Sequence, residues 1–374
     1  MASPEITVQK VETKKDWKEF LLLPWEIYRG NPCWVPPLVS DIKERLDTGH
    51  YPFWQHAERE VFIAKKNGKT TGRIAAIIDR NHNDFHNEKM GFFGFFECVD
   101  ELETAAALIE EASRWTKSKG MTALRGPVSP SLNDECAFLL EGYDLPPAFM
   151  MPYNPPYYHK LMEGCGLKKA KDLLSLLKRD VDGMTERLVK MIDRMKKRMR
   201  VNIRSFNLRE FDRDVQICKD IYNAAWEKNW GFVPMTNEEM DYSAKQIKSF
   251  GDPDLICIGE VDGNPAGLGI TVPNLNEVLA KLNGRLGLTG ALKFLYYKNR
   301  IKGTRSLIGG VKKEYRNTGI IAAMSYRMEK ILRKKGYKWC EFGWNLEDND
   351  LINSFDQAIG GKIYKKYRLY EKGI

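Results

Sequence analysis

The sequence predicts an α/β protein of two successive halves, each with a mixed, mostly antiparallel sheet flanked by helices. The chain has 374 residues, which is too long for one typical domain and comfortable for two. Each half contains a dipeptide, Asn67-Gly68 or Asp262-Gly263, between two strand-like apolar runs. Because such dipeptides favour the turns of tight hairpins, each predicts a pair of antiparallel strands.

The first half alternates strand-like and helix-like segments around its hairpin. Short apolar runs predict the strands, and apolar residues at helical spacing predict the helices. Gly120 follows the last of these helices, where glycine commonly ends a helix. The predicted strands are 6–11, 60–66, 72–79, 91–97 and 124–128, and the predicted helices are 15–29, 38–46 and 105–119.

The second half repeats this order of elements, although not the residue identities. The repetition indicates duplication of one α/β unit, and the predicted domains are 1–178 and 179–374. In this half the predicted strands are 201–206, 255–261, 266–272, 306–311, 339–344 and 364–370, and the predicted helices are 183–200, 215–226, 237–250, 319–335 and 350–359.

Composition indicates a folded, basic protein. The 59 Lys and Arg against 50 Asp and Glu give a net charge of +9. This surplus favours anionic partners, and nucleic acid, acidic lipid headgroups and a phosphorylated cofactor all qualify. Seven Cys without a CxxC pair fit reduced thiols in a cytoplasm. The sequence shows neither a signal peptide nor an apolar stretch long enough to span a membrane, so we expect a cytoplasmic location.

One segment of the second half breaks the symmetry. Residues 275–305 mix Leu, Phe and Tyr with Lys and Arg and contain a single acid, Glu277. Basic amphipathic segments of this kind bind membrane surfaces, which implies peripheral contact with the inner membrane. The same composition also suits a helix that covers the core of the second half. The sequence leaves both alternatives open.

The most informative stretch for a ligand is residues 310–324, which follow an apolar strand and open a long predicted helix. Unpaired N–H groups and the positive end of the helix dipole attract anions to a helix N-terminus. Arg316 adds a planar cation that suits phosphate oxygens, and Gly319 lets the backbone come close to the ligand. The pattern predicts a cradle for a pyrophosphate group.

This stretch, V-x-x-x-Y-R-x-x-G-I, resembles the acetyl-CoA motif of the GNAT (GCN5-related N-acetyltransferase) superfamily. Val311, Arg316 and Gly319 match that motif, whereas Ile321 stands where the family usually has Gly or Ala. The resemblance implies a tandem GNAT-like fold that binds acyl-CoA, either acetyl-CoA or a long-chain acyl-CoA. The residues that it assigns to the cofactor are Val311, Tyr315, Arg316, Asn317, Thr318, Gly319, Ile320 and Asn349.

A second GNAT pattern, Asn-x-x-Ala followed by an apolar residue, Tyr and Gly, is matched in spacing by Asn349, Ile352, Phe355, Asp356 and Gly360. Asp356 therefore replaces the Tyr that protonates the departing CoA thiolate in the family. A carboxyl group donates at neutral pH only if its pKa is raised by burial. Three alternatives remain: a perturbed Asp356, donation by Tyr364 or Tyr367, or unaided departure of the thiolate.

The first half lacks such a cradle. After the predicted strand 91–97 comes an acidic turn with Asp100, Glu101 and Glu103, where a diphosphate would be repelled. The resemblance then implies a degenerate GNAT-like unit that shapes the acceptor site or is structural.

Longer phrases extend the resemblance over nearly the whole chain, to a bacterial group of long, two-half GNAT proteins. This group includes or neighbours bacterial ceramide synthases, which join a fatty acyl-CoA to a sphingoid amine. The resemblance implies an acyl-CoA-dependent N-acyltransferase, with a lipid amine as one possible acceptor. The phrases are PWEIYRGNPCWVPPL (24–38), GRIAAIIDRNHN (72–83), GFFGFFE (91–97), the stretch 125–158, IYNAAWEKNWGFVP (221–234) and YRLYEK (367–372).

An amine acceptor must lose a proton, and a carboxylate can accept it. Glu341 lies on the strand after the cofactor helix, and Glu347 and Asp348 lie just beyond its carboxyl end, where open α/β sheets place ligands. Asp348 and Glu347 are the predicted bases, although acids at this position also suit a turn before a helix. No G-x-S-x-G elbow and no Cys-His pair is apparent, which favours direct transfer from the thioester.

Aromatic and polar residues after the helix 215–226 form the predicted acceptor site. Trp226, Asn229 and Trp230, with Glu227 between them, lie in a region that covers the acceptor in GNAT folds. Their apolar faces suit a lipid or aromatic acceptor, and they equally suit packing in the core.

His82 and His86 have a spacing compatible with a metal on a helix, but no third ligand is evident. We expect a solvated loop there and no metal.

Two further interpretations compete with the first. The basic segment 187–200 could grip RNA phosphates in a transferase that uses aminoacyl-tRNA, although its apolar positions recur at helical spacing and indicate partial burial. An intact cofactor cradle argues against that interpretation, and no specific nucleic acid is expected. The other is a non-catalytic CoA-binding protein, with Ile321 and Asp356 marking lost chemistry. The oligomeric state is left open.

Overall fold

The computed structural model describes residues 5–179, 184–226 and 229–374. The strands are β1 Ile6–Lys10, β2 Ala57–Lys66, β3 Lys69–Asp79, β4 Met90–Cys98, β5 Ala123–Gly126, β6 Val128–Ser129, β7 Glu135–Cys136, β8 Phe138–Glu141, β9 Lys168–Arg179, β10 Val201–Ser205, β11 Ile256–Val261, β12 Asn264–Pro273, β13 Gly303–Val311, β14 Trp339–Leu346 and β15 Lys362–Gly373.

The helices alternate with these strands, as the sequence predicts for an α/β protein. They are α1 Lys14–Ile27, α2 Val39–Arg45, α3 Arg80–His86, α4 Leu102–Ser118, α5 Tyr158–Gly164, α6 Glu186–Arg198, α7 Phe211–Trp226, α8 Asn237–Phe250, α9 Asn276–Leu279, α10 Leu288–Lys298, α11 Ile320–Lys334 and α12 Asp350–Ala358.

The chain forms two compact units that exchange segments. The first unit comprises the described parts of Met1–Leu173, Val278–Tyr296 and Lys365–Ile374, and the second those of Leu174–Glu277 and Tyr297–Tyr364. The division into domains 1–178 and 179–374 stays a prediction.

The sheet of the first unit has the strand order β1-β2-β3-β4-β5-β15, and β8 also pairs with β15. Among these strands only β4 and β5 run parallel. The predicted hairpin joins β2 and β3, because Asn67 and Gly68 both adopt the positive φ that a tight turn requires. Helix α4 packs on the sheet and encloses a core that includes Phe62, Ile74 and Leu108.

The sheet of the second unit has the order β14-β13-β12-β11-β10, and only β13 and β14 run parallel. The second predicted hairpin joins β11 and β12, with Asp262 and Gly263 at positive φ. Helix α11 packs on β10 to β13 around a core that includes Ile192, Leu255 and Ile320, and α7 packs on β12 and β13. Both units therefore have mostly antiparallel sheets flanked by helices, as predicted.

One local expectation was wrong. The segment with His82 and His86 is the helix α3 rather than a loop, and His82 is buried. Burial lowers the pKa of His82 to about 4, so this imidazole is neutral. Residues 275–305 contain α9 and α10, and residues 278–296 belong to the first unit.

In the first unit the end of β4 is covered by protein. Strands β4 and β5 pair only from residues 90–92 to residues 123–125. Beyond that point the Phe95 N–H donates to Ser129 Oγ at 3.0 Å. A Cβ on Gly94 would lie 1.4 Å from the Val128 carbonyl oxygen, so β6 lies directly against β4. The space between the two diverging strands is thus filled by the chain itself.

A buried polar cluster completes this filling. The hydroxyls of Tyr28 and Tyr158 donate to Glu97 Oε2 at 3.0 and 2.7 Å, and Arg73 Nη2 lies 3.6 Å from Glu97 Oε1. Burial raises the pKa of Glu97, although Arg73 opposes the shift. The N–H of Cys98, the last residue of β4, donates to the Tyr158 hydroxyl oxygen. In the second half, the predicted phosphate cradle follows the corresponding strand. Protein groups therefore occupy this region, and the lack of a cofactor site in the first half stays a prediction.

Gly94→Ala should therefore destabilise the protein by at least about 2 kcal/mol, because the new methyl group overlaps a backbone oxygen that cannot move alone. Urea denaturation followed by circular dichroism measures the change. Gly309→Ala is the matched control in β13, since nothing lies within 4 Å of a Cβ at Gly309, and we expect a change within about 0.5 kcal/mol. Equal stability of the two variants would contradict the close packing of β6 on β4.

Candidate functional site

Strands β13 and β14 of the second unit diverge part-way along their length. They pair in parallel only from residues 303–306 to residues 339–342. Within the described residues no ladder joins the rest of β13, up to Val311, to β14. Backbone N–H and C=O groups at such an opening need other partners, and an extended ligand with amide groups can supply them. We call this opening the fork.

Two glycines and an aromatic wall line β13 beyond the fork. A Cβ on Gly310 would lie 2.1 Å from the indole ring of Trp226, so this ring from α7 rests directly on the strand. Tyr222 packs on Trp226, with the two ring centroids 5.1 Å apart. Phe232 packs on Tyr222, with a centroid distance of 5.6 Å. Gly309 faces open space. The wall is apolar and adjoins the exposed strand edge.

The structure places the other predicted acceptor residues directly after α7. Asn229 and Trp230 are half-buried. The Asn229 N–H donates to the Trp226 carbonyl at 2.8 Å, and the Phe232 N–H donates to the Asn229 carbonyl at 3.1 Å. These bonds fold the loop back beside Trp226. Glu227 lies outside the described residues.

The predicted cradle lies between β13 and α11. A 3-10 turn, Lys313–Thr318, leads to Gly319 at a φ of +71°, and α11 begins at Ile320. No described side chain caps the α11 N-terminus. Gly319 suits this position because its conformation is left-handed, and a Cβ there would meet only the flexible end of the Met195 side chain. The α11 N–H groups thus remain available to an anion.

Arg316 connects the cradle to its neighbours. The side chain is exposed, its Nε donates to the Val311 carbonyl at 3.4 Å, and its Nη2 donates to the Ala225 carbonyl at 3.0 Å. The guanidinium therefore lies against the carboxyl end of α7, where a cation is favourable. Of the other predicted cofactor residues, Asn317 is exposed and Tyr315 half-buried, whereas the side chains buried in the unit are Val311, Thr318 and Ile320. Ile321 packs against the core.

A charged group lies at the base of the fork. Arg305 and Glu341 are register partners on β13 and β14, and Arg305 Nε lies 3.2 Å from Glu341 Oε1. Arg305 also donates to the Gly343 carbonyl at 3.0 Å, and Tyr364 donates its hydroxyl hydrogen to Glu341 Oε2. Glu341 is fully buried, while Tyr364 is half-buried. Tyr364 is therefore the member of this group that a substrate can reach.

Asp356 is buried on α12. It accepts a hydrogen bond from Asn345 Nδ2 at 2.8 Å, and Asn345 also donates to Asn353 Oδ1 at 3.2 Å. Burial raises the pKa of Asp356 to about 6, and the bond from Asn345 opposes that shift. Burial thus favours the perturbed carboxyl among the three alternatives, and the choice of acid stays a prediction.

Glu347, Asp348 and Asn349 form the turn between β14 and α12. Asp348 is exposed and Glu347 half-buried. Asn349 Oδ1 accepts a hydrogen bond from the Ile352 N–H at 3.4 Å, so Asn349 caps α12. The cap explains why an Asn stands here without invoking the cofactor.

Two curated relatives match the chain over its whole length. Protein YghO of Escherichia coli (strain K12) is 35% identical over 382 residues, covering 100% of this chain and 97% of the relative. A bacterial ceramide synthase of Caulobacter vibrioides (strain NA1000 / CB15N) is 32% identical over 378 residues, covering 99% and 98%. A solved tandem GNAT protein from the clavulanic acid biosynthesis pathway superposes with a TM-score of 0.57 at 11% identity, covering 99% and 98% of the two chains.

The chain belongs to the same family as these two relatives, and it has the tandem GNAT fold. The predicted family, the tandem GNAT fold and the assignment as an acyltransferase are confirmed. No family model matches the chain.

The second unit of this GNAT protein fits an acyl-CoA. The α11 N-terminus and Arg316 provide donors for a diphosphate, and the strand edge at Gly309 and Gly310 provides partners for amide groups. Within the described ranges no group of three or more His, Cys, Asp or Glu side chains is arranged to hold a metal.

Helix α6 lies beside this cradle. Ile192 is buried, Leu188 and Met195 are half-buried, and Met191 is 48% exposed. Part of the apolar face that the sequence predicted is thus buried, against α11, and Met191 is the exception.

Sequence reasoning did not identify Arg305 and Asn345. Arg305 stands at the end of a basic segment, and Asn345 sits next to the predicted strand 339–344. The sequence carries no signal for Arg305, because its position opposite Glu341 depends on the register between β13 and β14.

Asp356→Asn should stabilise the protein at neutral pH. The pKa of Asp356 is higher in the folded state, about 6 against 3.8, so the folded state binds more protons in that interval and loses stability as the pH rises through it. A neutral Asn removes this loss. We expect the free energy of unfolding to rise by about 2–3 kcal/mol at pH 7 and to match the wild type below about pH 4. Urea denaturation at both pH values measures it, and a difference independent of pH would exclude a raised pKa.

Proposed function

We propose that the protein is an acyl-CoA-dependent N-acyltransferase that moves a long-chain acyl group to a lipid amine. The fork of the second unit carries the proposal, because an exposed strand edge lies beside an uncapped helix N-terminus. The full-length likeness to a relative named bacterial ceramide synthase supports the choice of lipid amine.

The donor is held by backbone groups. N–H groups at the start of α11 bind the diphosphate, with Arg316 as the nearby cation, and the edge of β13 binds the amide-containing arm. Acyl-CoA supplies an activated thioester, whose carbonyl carbon the acceptor nitrogen attacks. Gly309 leaves room along the strand for the arm, since nothing lies within 4 Å of a Cβ built there, whereas Trp226 fills that space at Gly310.

Tyr364 and Glu341 are suited to accept the proton of the acceptor ammonium. Because Tyr364 donates its hydrogen to Glu341, its oxygen presents lone pairs to a substrate. When the Tyr364 oxygen takes a proton from the ammonium, the hydroxyl hydrogen of Tyr364 can pass to Glu341. Arg305 orients the Glu341 carboxyl group. Glu347 and Asp348 remain candidate bases at the carboxyl end of β14, where they could act through water.

Asp356 is suited to the opposite role. With a pKa of about 6 it can be protonated near neutral pH, as a donor to a leaving thiolate requires. Asn345 fixes the position of its carboxyl group.

The aromatic wall supports an apolar acceptor or acyl chain. The Trp226 ring lies on β13, Tyr222 and the buried Phe232 pack behind it, and Trp230 follows in the same loop. A small polar acceptor gains little from such a surface, whereas each methylene of a long chain buried there gains about 0.8 kcal/mol.

The reaction is tested by measuring CoA release from palmitoyl-CoA and from acetyl-CoA, each with a sphingoid amine and with a short polar amine. We expect turnover with palmitoyl-CoA and the sphingoid amine, and an N-acylated product by mass spectrometry. CoA binding without turnover for any pair would favour the non-catalytic alternative. Product formed only from aminoacyl-tRNA would favour the tRNA-dependent one.

Tyr364→Phe should lower kcat by about 10²–10⁴-fold and leave the Kd for CoA unchanged, because it removes the proton acceptor but not the cradle. Tyr337→Phe is the matched control, a half-buried tyrosine of the same unit outside the fork, and should retain activity. A Tyr364→Phe enzyme with wild-type kcat would exclude this role.

A further inference from the structure

Helix α10 presents a row of large apolar side chains to solvent. Leu288 is 91% exposed, Leu292 70% and Leu295 56%. These residues stand at positions i, i+4 and i+7, so they share one face of the helix. Large apolar side chains exposed singly are common, but a contiguous row on one helix marks a binding surface. We call it the leucine row.

The opposite face and the preceding loop hold α10 in place. Gly290 is buried and Phe294 half-buried, so this side of the helix packs on protein. In the loop, Trp25 Nε1 donates to Asn283 Oδ1 at 2.9 Å, and the Val39 N–H donates to the Gly284 carbonyl at 3.1 Å. The leucine row is therefore displayed on an anchored segment.

The segment that carries the leucine row has charges of one sign. The sequence has no Asp or Glu between Glu277 and Glu314, and residues 278–302 contain the cations Lys281, Arg285, Lys293, Lys298, Arg300 and Lys302. The Glu277 carboxylate accepts from the N–H groups of residues 302 and 303, at 2.9 and 2.8 Å, so it is engaged with backbone. At about 100° per residue, Lys298 stands roughly a quarter turn to one side of the row. Lys293 stands farther round on the other side, and its Nζ donates to the Lys281 carbonyl at 3.4 Å. An apolar row between cations matches the interface of an anionic bilayer.

We propose that α10 seats the protein on a membrane surface that carries anionic phospholipids, with the leucine row in the acyl-chain boundary and the lysines among the headgroups. The helix has 11 residues and is about 16 Å long, too short to span the hydrocarbon core, so it lies in the plane of the interface. In the described part of the chain no helix is long and apolar enough to cross a membrane.

A second copy of the chain is the competing occupant of the leucine row. Two copies packed face to face would bring the lysines Lys293 and Lys298 of one copy near those of the other. No acid lies between Glu277 and Glu314 to offset the repulsion between these positive charges. Anionic lipid satisfies both the apolar and the cationic groups. The proposal is independent of the reaction, because binding to lipid needs neither donor nor acceptor.

Co-sedimentation of the full chain with vesicles tests the proposal. One set of vesicles contains phosphatidylcholine alone, and the other contains phosphatidylcholine with phosphatidylglycerol. We expect binding to the anionic vesicles, weaker binding to the neutral ones, and a fall in anionic binding as salt is added. No sedimentation with either set would overturn the proposal.

Variants assign the binding to α10. Leu292→Ser should lower the partition coefficient by at least about tenfold, and Lys293→Glu with Lys298→Glu should reduce binding to anionic vesicles by more than about tenfold. Leu208→Ser is the control, because Leu208 is 49% exposed outside this segment and should bind like the wild type. Because Leu292 is exposed, the thermal unfolding of its variant should match the wild type. Lipid binding by Leu292→Ser equal to that of the wild type would refute the proposal. A wild-type protein that binds no lipid but forms a dimer, which Leu292→Ser dissociates, would refute it as well.

Discussion

The structure depends on one constraint: β13 and β14 run parallel but pair only as far as Ser306 and Phe342. Every later feature of the site follows from where the ladder stops. The strand edge is exposed beyond that point, α11 starts at the same end of β13, and Trp226 can rest on Gly310 because neither Gly309 nor Gly310 carries a side chain. The buried pair of Arg305 and Glu341 forms the last rung but one of this ladder.

The first unit contains the same parallel arrangement with the opposite outcome. There β6, Tyr158 and the cluster around Glu97 occupy the region beyond the last paired residues of β4 and β5. The Glu97 carboxyl accepts two hydroxyls and faces Arg73, so its oxygens are engaged within the protein. The two units therefore share the parallel strand pair but differ in what lies beyond its last paired residues.

Local chemistry explains what could be predicted from the sequence. The two hairpins were predictable because Asn67-Gly68 and Asp262-Gly263 determine their own turns, and the cradle because strand, turn and Gly319 are contiguous. Asp356 is a candidate acid in the sequence only because the resembling family has Tyr at that position. The partner of Glu341 was not predictable, because it depends on the register between strands joined by a helix, and neither was the placement of α10, because a long-range exchange of segments put it in the first unit.

Hydrogen–deuterium exchange of the full chain, with and without CoA, tests most directly whether the fork of the second unit is the donor site. We predict slower exchange in residues 307–311 and in the first turn of α11, because the ligand would accept from and shield these N–H groups, and no change at the end of β4. Unchanged exchange at β13 and α11 under saturating CoA, or protection at β4 instead, would contradict the assignment.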